Sequence, residues 1–351
     1  MIWVDQTVNE GLRIGMDKGK IEAMVELLQN IQEMVIDIRV TTWQQYSMPP
    51  LNRVQQKQLR GIINGTLEEV ELAYTMGFRD VVLTCSPHPG EGLANQVKAT
   101  LLAAQKREVN MALCIENASN FSIEEVEGLW RDVSTMGVTT FIYSDGNSRL
   151  NPLSTFKILT SLVGRIPVDL EFHSHNAYGL ATANAVGAME AGVERIATAV
   201  AGVGLQGHTA LEEVIMIQKR LLGEKTVATE NLSRYCTQIL GAIGIEIPGT
   251  KAIIGQDIFA HESGIHVDGV LKNPQLYEAF SPEEVGLQRK FVIGKHSGTA
   301  SIQAKFRQWN VVLSAMDTQF LLKQVRNLAV TQKKSVDDDI LWKMYQLRMI
   351  H

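Results

Sequence analysis

The sequence predicts an α/β protein: an eight-stranded parallel TIM (β/α)8 barrel followed by a mainly helical region. Three observations point there. Short runs rich in β-branched residues alternate with longer segments of helical period, the pattern of parallel strands joined by helical crossovers. Eight such runs fit within roughly the 250 residues typical of a barrel, which favours closure over an open doubly wound sheet. After residue 222 the alternation stops, so the expected division is a barrel over 1–222 and a helical lid and dimerisation region over 223–351.

The expected strands are IWVDQT (2–7), MVIDIRV (34–40), LRGIIN (59–64), DVVLTCS (80–86), NMALCIE (110–116), TTFIYSD (139–145), VDLEFHSH (168–175) and RIATAVAG (195–202). Between them lie helical stretches such as SIEEVEGLWRDVSTMG at 122–137, which opens on a Ser with a Glu three residues on and closes on Gly137. From 223 onward the chain reads as helices separated by loops bearing Gly and Pro, with a basic, polar end.

Composition limits the function. With 351 residues, 45% of them hydrophobic, the chain buries a large core. A net charge of −5 with no block of like charges argues against nucleic acid or a membrane surface as the main partner, leaving small molecules. Cys85, Cys114 and Cys236 are too few and too scattered for a disulfide framework, which suggests a reducing compartment. The first residues lack a basic, then apolar, leader pattern, and nowhere do about 18 apolar residues run uncharged. The expected location is cytoplasmic.

In a barrel the reacting groups sit at the C-terminal ends of the strands. The seventh strand runs into EFHSHNAYG, and its period of two puts Asp169, Glu171, His173 and His175 on one face, with Leu170 and Phe172 on the other. So polar an interior face needs hydrogen bonds, opposite charges or a metal. Asp37 and Arg39, Glu116, Asp145 and the loop GVGLQGHTALEE with His208 end other strands. An HxH pair alone also fits two histidines bonded to carbonyls at a strand end. With carboxylates and His208 nearby, a divalent Zn, Mn, Mg or Fe with open positions is the better reading.

Two later segments, HESGIHVDGVLKNPQLYEAFSPEEVG (261–286) and VIGKHSG (292–298), resemble the lid of the homocitrate synthase and 2-isopropylmalate synthase family. These are acyl-CoA-dependent condensing enzymes on a metal-binding TIM barrel. HSHNAYGLATANAVGAMEAG, ENAS and YSDGNSRLNP resemble the family's HxHND-GLA-AN, ED-A-S and ADT-G-DP segments, and the resemblance spans about residues 2–310. It implies a metal that chelates the carboxylate and ketone of a 2-oxo acid, a base that deprotonates the methyl of acetyl-CoA or a related acyl-CoA, and hydrolysis of the resulting thioester. Proton transfers fall by motif to Glu116, His266 and Tyr277, the last two supplied across a homodimer by exchanged lids. No regulatory domain of the leucine-pathway type is expected after the lid.

The first strand departs from the family. Where the signature reads D-T-T-L-R-D-G-E-Q, this chain has DQTVNEGLR. Asn9 replaces the arginine that polarises the ketone, and Glu10 replaces the metal-binding Asp. GLQGH replaces G-E-R-x-G-N, bringing His208 to the place of an Asn ligand. Gly146 stands for a Thr that contacts substrate, and Ala177 for the Asp after HxHN. Asp-to-Glu and Asn-to-His exchanges keep ligand chemistry, so the implied metal set is Glu10, His173, His175 and His208, with Asn9, Arg39, Asp145 and Gly146 around the substrate. Arg39 either supplies the missing guanidinium or pairs with Asp37 in the core. Three functional classes follow: a condensing acyltransferase, on its usual acceptor or a different one; a retro-aldol lyase of the hydroxymethylglutaryl-CoA type; and a silent homologue that only binds a partner.

Overall fold

The computed structural model describes residues 1–224 and 227–350. Eight parallel strands pair in chain order and close on themselves. They are β1 (Ile2–Asp5), β2 (Met34–Arg39), β3 (Leu59–Ile63), β4 (Asp80–Cys85), β5 (Asn110–Ile115), β6 (Val138–Asp145), β7 (Asp169–Ser174) and β8 (Arg195–Thr198). Closure is made by β8 on β1, with Ile2 opposite Arg195 and Asp5 opposite Thr198. Each strand coincides with one of the runs read from the sequence, so the expected TIM barrel is the fold observed.

Two boundaries differ from expectation by more than two residues. β8 stops at Thr198 rather than 202, because Ala201 turns into the left-handed region at φ 54° and its N–H donates to Glu212 at 2.8 Å. The helix expected over 122–137 opens on the anticipated capping box of Ser122 and Glu125 but ends at Arg131. Asp132 there turns its carboxylate to Lys98 at 3.0 Å and to the Leu93 N–H at 3.3 Å. The chain then turns until Gly137, at φ 72°, admits the left-handed exit into β6.

Inside the barrel lies a buried ion network that sequence reading missed. Arg60 on β3 is 3% exposed and binds Asp37 on β2 through Nε at 2.7 Å and Nη2 at 3.0 Å. Across the barrel it binds both oxygens of Glu171 on β7 at 2.7 Å. Arg195 on β8 reaches Glu171 at 3.3 Å, and Gln6 donates to Asp37 at 2.7 Å. The anticipated alternative of an Arg39–Asp37 pair is thus corrected: Asp37 is taken by Arg60, and Arg39 donates to Asn64 at 2.8 Å. Burial pushes the Asp37 carboxyl up against the pull of Arg60. Burial also opposes charge on Glu171, but Arg60 and Arg195 outweigh it and hold that carboxyl low. Next to this network Val82, Ala112, Cys114 and Ile142, with Ile62, make an apolar filling.

The chain divides into two compact units, one of residues 1–228 and 234–247, the other of 229–233 and 248 onward. In the second, helices Thr299–Gln308, Ala315–Gln332 and Asp338–Ile350 pack around Phe306, Leu321, Val325 and Leu341. A two-stranded parallel ribbon, β9 (Ala260–His261) with β10 (Lys290–Phe291), completes it. Among the described residues no helix is long and apolar enough to cross a membrane.

Two stability predictions follow from these buried charges. Arg60→Met strands Asp37 and Glu171 without their shared partner, and urea unfolding should show a loss of about 3–5 kcal/mol. Burial raises the Asp5 carboxyl from 3.8 to about 6, over the opposing hydrogen bonds of Thr7 and Val8. Between those values the folded chain holds a proton that the unfolded chain has lost, so the Asp5 contribution to stability falls as pH rises through that window. Unfolding measured across it should show the wild type gaining on Asp5→Asn as pH falls.

Candidate metal centre and active site

Because all eight barrel strands are parallel, their C-terminal ends share one pole, and most of the chemistry read from the sequence gathers there. His173 lies on the inward face of β7 two residues beyond Glu171, roughly 6–7 Å further along the strand, and His175 follows just past its end. Asp169 shares their parity but sits at the opposite pole, with its side chain 63% exposed. That opposite pole also holds a cavity of about 1050 Å³ lined by Arg53, Lys57 and Arg195, away from the histidines.

His208 reaches the cluster because of the loop that follows β8. Its backbone bridges to His175 in antiparallel fashion, and its N–H donates to the Gly202 carbonyl at 3.0 Å. Gly204, at φ 145°, lies under the ring: a Cβ there would come within 2.6 Å of His208 Nε2. Only glycine leaves room for the imidazole.

The three rings form one group. One nitrogen from each of His173, His175 and His208 lies within 4.8 Å of the others, and ring centroids are 4.9–5.3 Å apart. His173 Nε2 and His208 Nδ1 face each other at 3.2 Å. Ligands at roughly 2.0–2.1 Å from a tetrahedral metal stand about 3.3–3.4 Å apart, so this edge suits a shared cation. Burial, helped by the neighbouring imidazoles, lowers the pKa of His173 far below the usual range and lowers that of His175. Both rings are therefore neutral near pH 7 and carry a lone pair, and His175 Nδ1 is buried with no hydrogen-bond partner among the described residues. The donors fit a divalent metal.

Glu10 stands beside them on the helix Thr7–Arg13, with Oε1 4.0 Å from His208 Nε2. Arg13, three residues on, donates from Nε and Nη2 to Oε2 at 2.9 and 2.7 Å. Burial works against the Glu10 charge, yet His208 and Arg13 outweigh it and hold the carboxyl below its ordinary range. Asn9 accepts the Arg39 backbone N–H at 3.2 Å, which ties the first helix to the end of β2.

The remaining candidates divide by role. Glu116 is exposed just past β5 and accepts the Ser86 hydroxyl. Asp145, fully buried at the end of β6, takes Ser119 Oγ at 2.6 Å and the N–H groups of Arg149 and Leu150 at 2.9 and 3.0 Å. It folds the β6 loop, and Gly146 within that loop lies against Asn117. In the second unit His266 and Tyr277 meet with ring centroids 5.4 Å apart. The Tyr277 ring occupies the space a Cβ on Gly269 would need, one turn along the His266 helix. Sequence reading missed Arg60, Arg195, Arg13 and Ser86; a basic residue at an inward position of the apolar run LRGII was the available signal for Arg60.

Comparison with known proteins agrees with this architecture. The HMGL-like family model matches residues 17–239, more than half of the chain. A second model, described as homocitrate synthase post-HMGL domain-like, matches residues 253–333. A curated 2-isopropylmalate synthase of Caldanaerobacter subterraneus is 38% identical over 69% of this chain and 64% of its own length. A homocitrate synthase of Nostoc is 40% identical over 58% of this chain and 55% of its own length. The chain thus covers less than two thirds of either relative. The solved HMG-CoA lyase of Bacillus subtilis aligns with a TM-score of 0.59 at 15% identity, over 70% of this chain and 95% of that one, a likeness of fold.

Protein purified without chelator should carry close to one divalent ion per chain by elemental analysis. His208→Ala should weaken that binding by more than the roughly 10–100-fold that loss of a supporting contact costs. Unchanged metal content in the variant would remove His208 from the set.

Proposed function

The chain belongs to the HMGL-like family, and on that premise we propose that it is an acyl-CoA:2-oxo acid C-acyltransferase. It would join acetyl-CoA, or a related acyl-CoA, to a 2-oxo acid and release CoA, in the manner of a homocitrate or isopropylmalate synthase. The observation that carries this reading is the convergence of His173, His175 and His208 beside Glu10 at the C-terminal pole of the barrel. The match of residues 253–333 to the segment named for homocitrate synthase favours condensation over the retro-aldol alternative. A similar fold at 15% identity adds no weight to the lyase side.

A divalent ion held by these four residues would supply Lewis-acid polarisation of the acceptor ketone. The three imidazoles and the Glu10 carboxylate would hold it. Glu116, with the Ser86 hydroxyl on one oxygen, is the group proposed to take a proton from the acyl methyl. His266 and Tyr277, whose rings meet at a tilt, are the proposed partners in moving protons at the new alkoxide and the thioester. Around the acceptor stand Asn9 and Arg39, with Asp145 shaping the loop that carries Gly146. Small-molecule substrates, a homodimer with exchanged lids and a cytoplasmic setting complete the proposal, with no nucleic-acid or membrane partner.

A thiol reagent should detect CoA release when metal-loaded protein is screened with acetyl-CoA against a panel of 2-oxo acids. Glu116→Gln should lower kcat by about 10²–10⁴-fold with metal content unchanged. Cleavage of a β-hydroxyacyl thioester without condensation would instead identify a lyase. Neither turnover nor bound metal would identify a silent homologue.

A further inference from the structure

A 2-oxo acid brings a carboxylate next to its ketone, and a site that takes it needs a cation beyond the metal. Most arginines of the barrel unit near the site are already committed. Arg60 is buried and spends its donors on Asp37 and Glu171. Arg149 donates through one nitrogen to Asn120 at 2.6 Å, and Arg39 through one to Asn64 at 2.8 Å, each on an amide away from the histidines. Asn9 carries no charge, and its carbonyl is taken by the Arg39 N–H.

Arg13 differs from these in its acceptor, the carboxylate that stands beside the histidine cluster. Its only hydrogen-bond acceptor among the described residues is Glu10 Oε2, which receives both Nε and Nη2. Glu10 Oε1 is left facing His208, so one carboxylate joins the guanidinium to the histidine cluster. A guanidinium has five N–H donors, and the unspent Nη1 and second Nη2 hydrogen form a fork that fits a carboxylate. The Arg13 side chain is 41% exposed against 16% for Glu10, so the guanidinium is reachable from solvent while the shared carboxylate is largely covered. A pair at i, i+3 this open adds little to stability.

We propose that Arg13 is the specificity residue that binds the carboxylate of the 2-oxo acid beside the Glu10–histidine site. This rests on the reading of that site as one for a 2-oxo acid. It assigns a role to a residue that the sequence motifs pass over.

The test is isothermal titration of pyruvate and of 2-oxoglutarate into the metal-loaded 351-residue chain, with metal stoichiometry measured on every sample. At least one acid should bind the wild type. Arg13→Gln should weaken that acid by at least about tenfold with metal content unchanged, Arg13→Lys by less, and Arg39→Gln by less than Arg13→Gln. Equal affinity of Arg13→Gln and wild type would overturn the proposal, as would a loss that tracks lost metal, since Arg13 would then only position Glu10. A larger loss in Arg39→Gln, or no binding of either acid to the wild type, would overturn it too. Arg13-dependent binding without CoA release would leave Arg13 in its role and sink the transferase reading instead.

Discussion

The guanidinium of Arg60, clamped between Asp37 and Glu171, is the interaction on which the rest of the barrel depends. Asp37 and Arg60 are direct register partners on β2 and β3, and Glu171 and Arg195 are partners on β7 and β8. The Arg60–Glu171 bond joins these two pairs across the interior. β7 and β8 share only two register pairs, Glu171 with Arg195 and Phe172 with Ile196, so the ion pair supports the sparsest seam of the sheet. Such a network costs desolvation that a hydrophobic core would avoid, and its return is a defined arrangement of strands. It also fixes the Glu171 side chain two residues before His173 on the same strand.

From that base the histidine cluster is assembled by two unrelated devices. One is the strand parity that carries the two histidines inward. The other is the glycine-bearing loop after β8, whose left-handed turns swing His208 back over the end of β7. Burial keeps His173 and His175 neutral, which suits them as ligands. Glu10 supplies the only carboxylate placed against them among the described contacts, and Arg13 orients it from the far side.

Much of this was legible in the sequence because it is local. The eight strands follow from β-branched runs, the inward face of EFHSH from a period of two, and the start of the helix at Ile123 from its capping box. What was not legible depends on partners distant in the chain. Asp37 reads equally well as a partner of Arg39 or of Arg60 until the register of β2 on β3 is known, and 111 residues separate Arg60 from Glu171. Asp145 looked like a group for substrate, yet its carboxylate is spent on the loop that follows it. Arg13 went unnoticed because its meaning lies in a side-chain contact one helical turn from a residue already singled out.

The central claim is that three imidazoles and one carboxylate of this chain hold a single divalent ion at the mouth of the barrel. X-ray absorption at the metal edge tests it most directly, since outer-shell scattering from imidazole rings can be counted in the metal-loaded protein. The account predicts three imidazole ligands, falling to two in His208→Ala, with the remaining near neighbours oxygen. Two imidazoles in the wild type, unchanged in the variant, would contradict it.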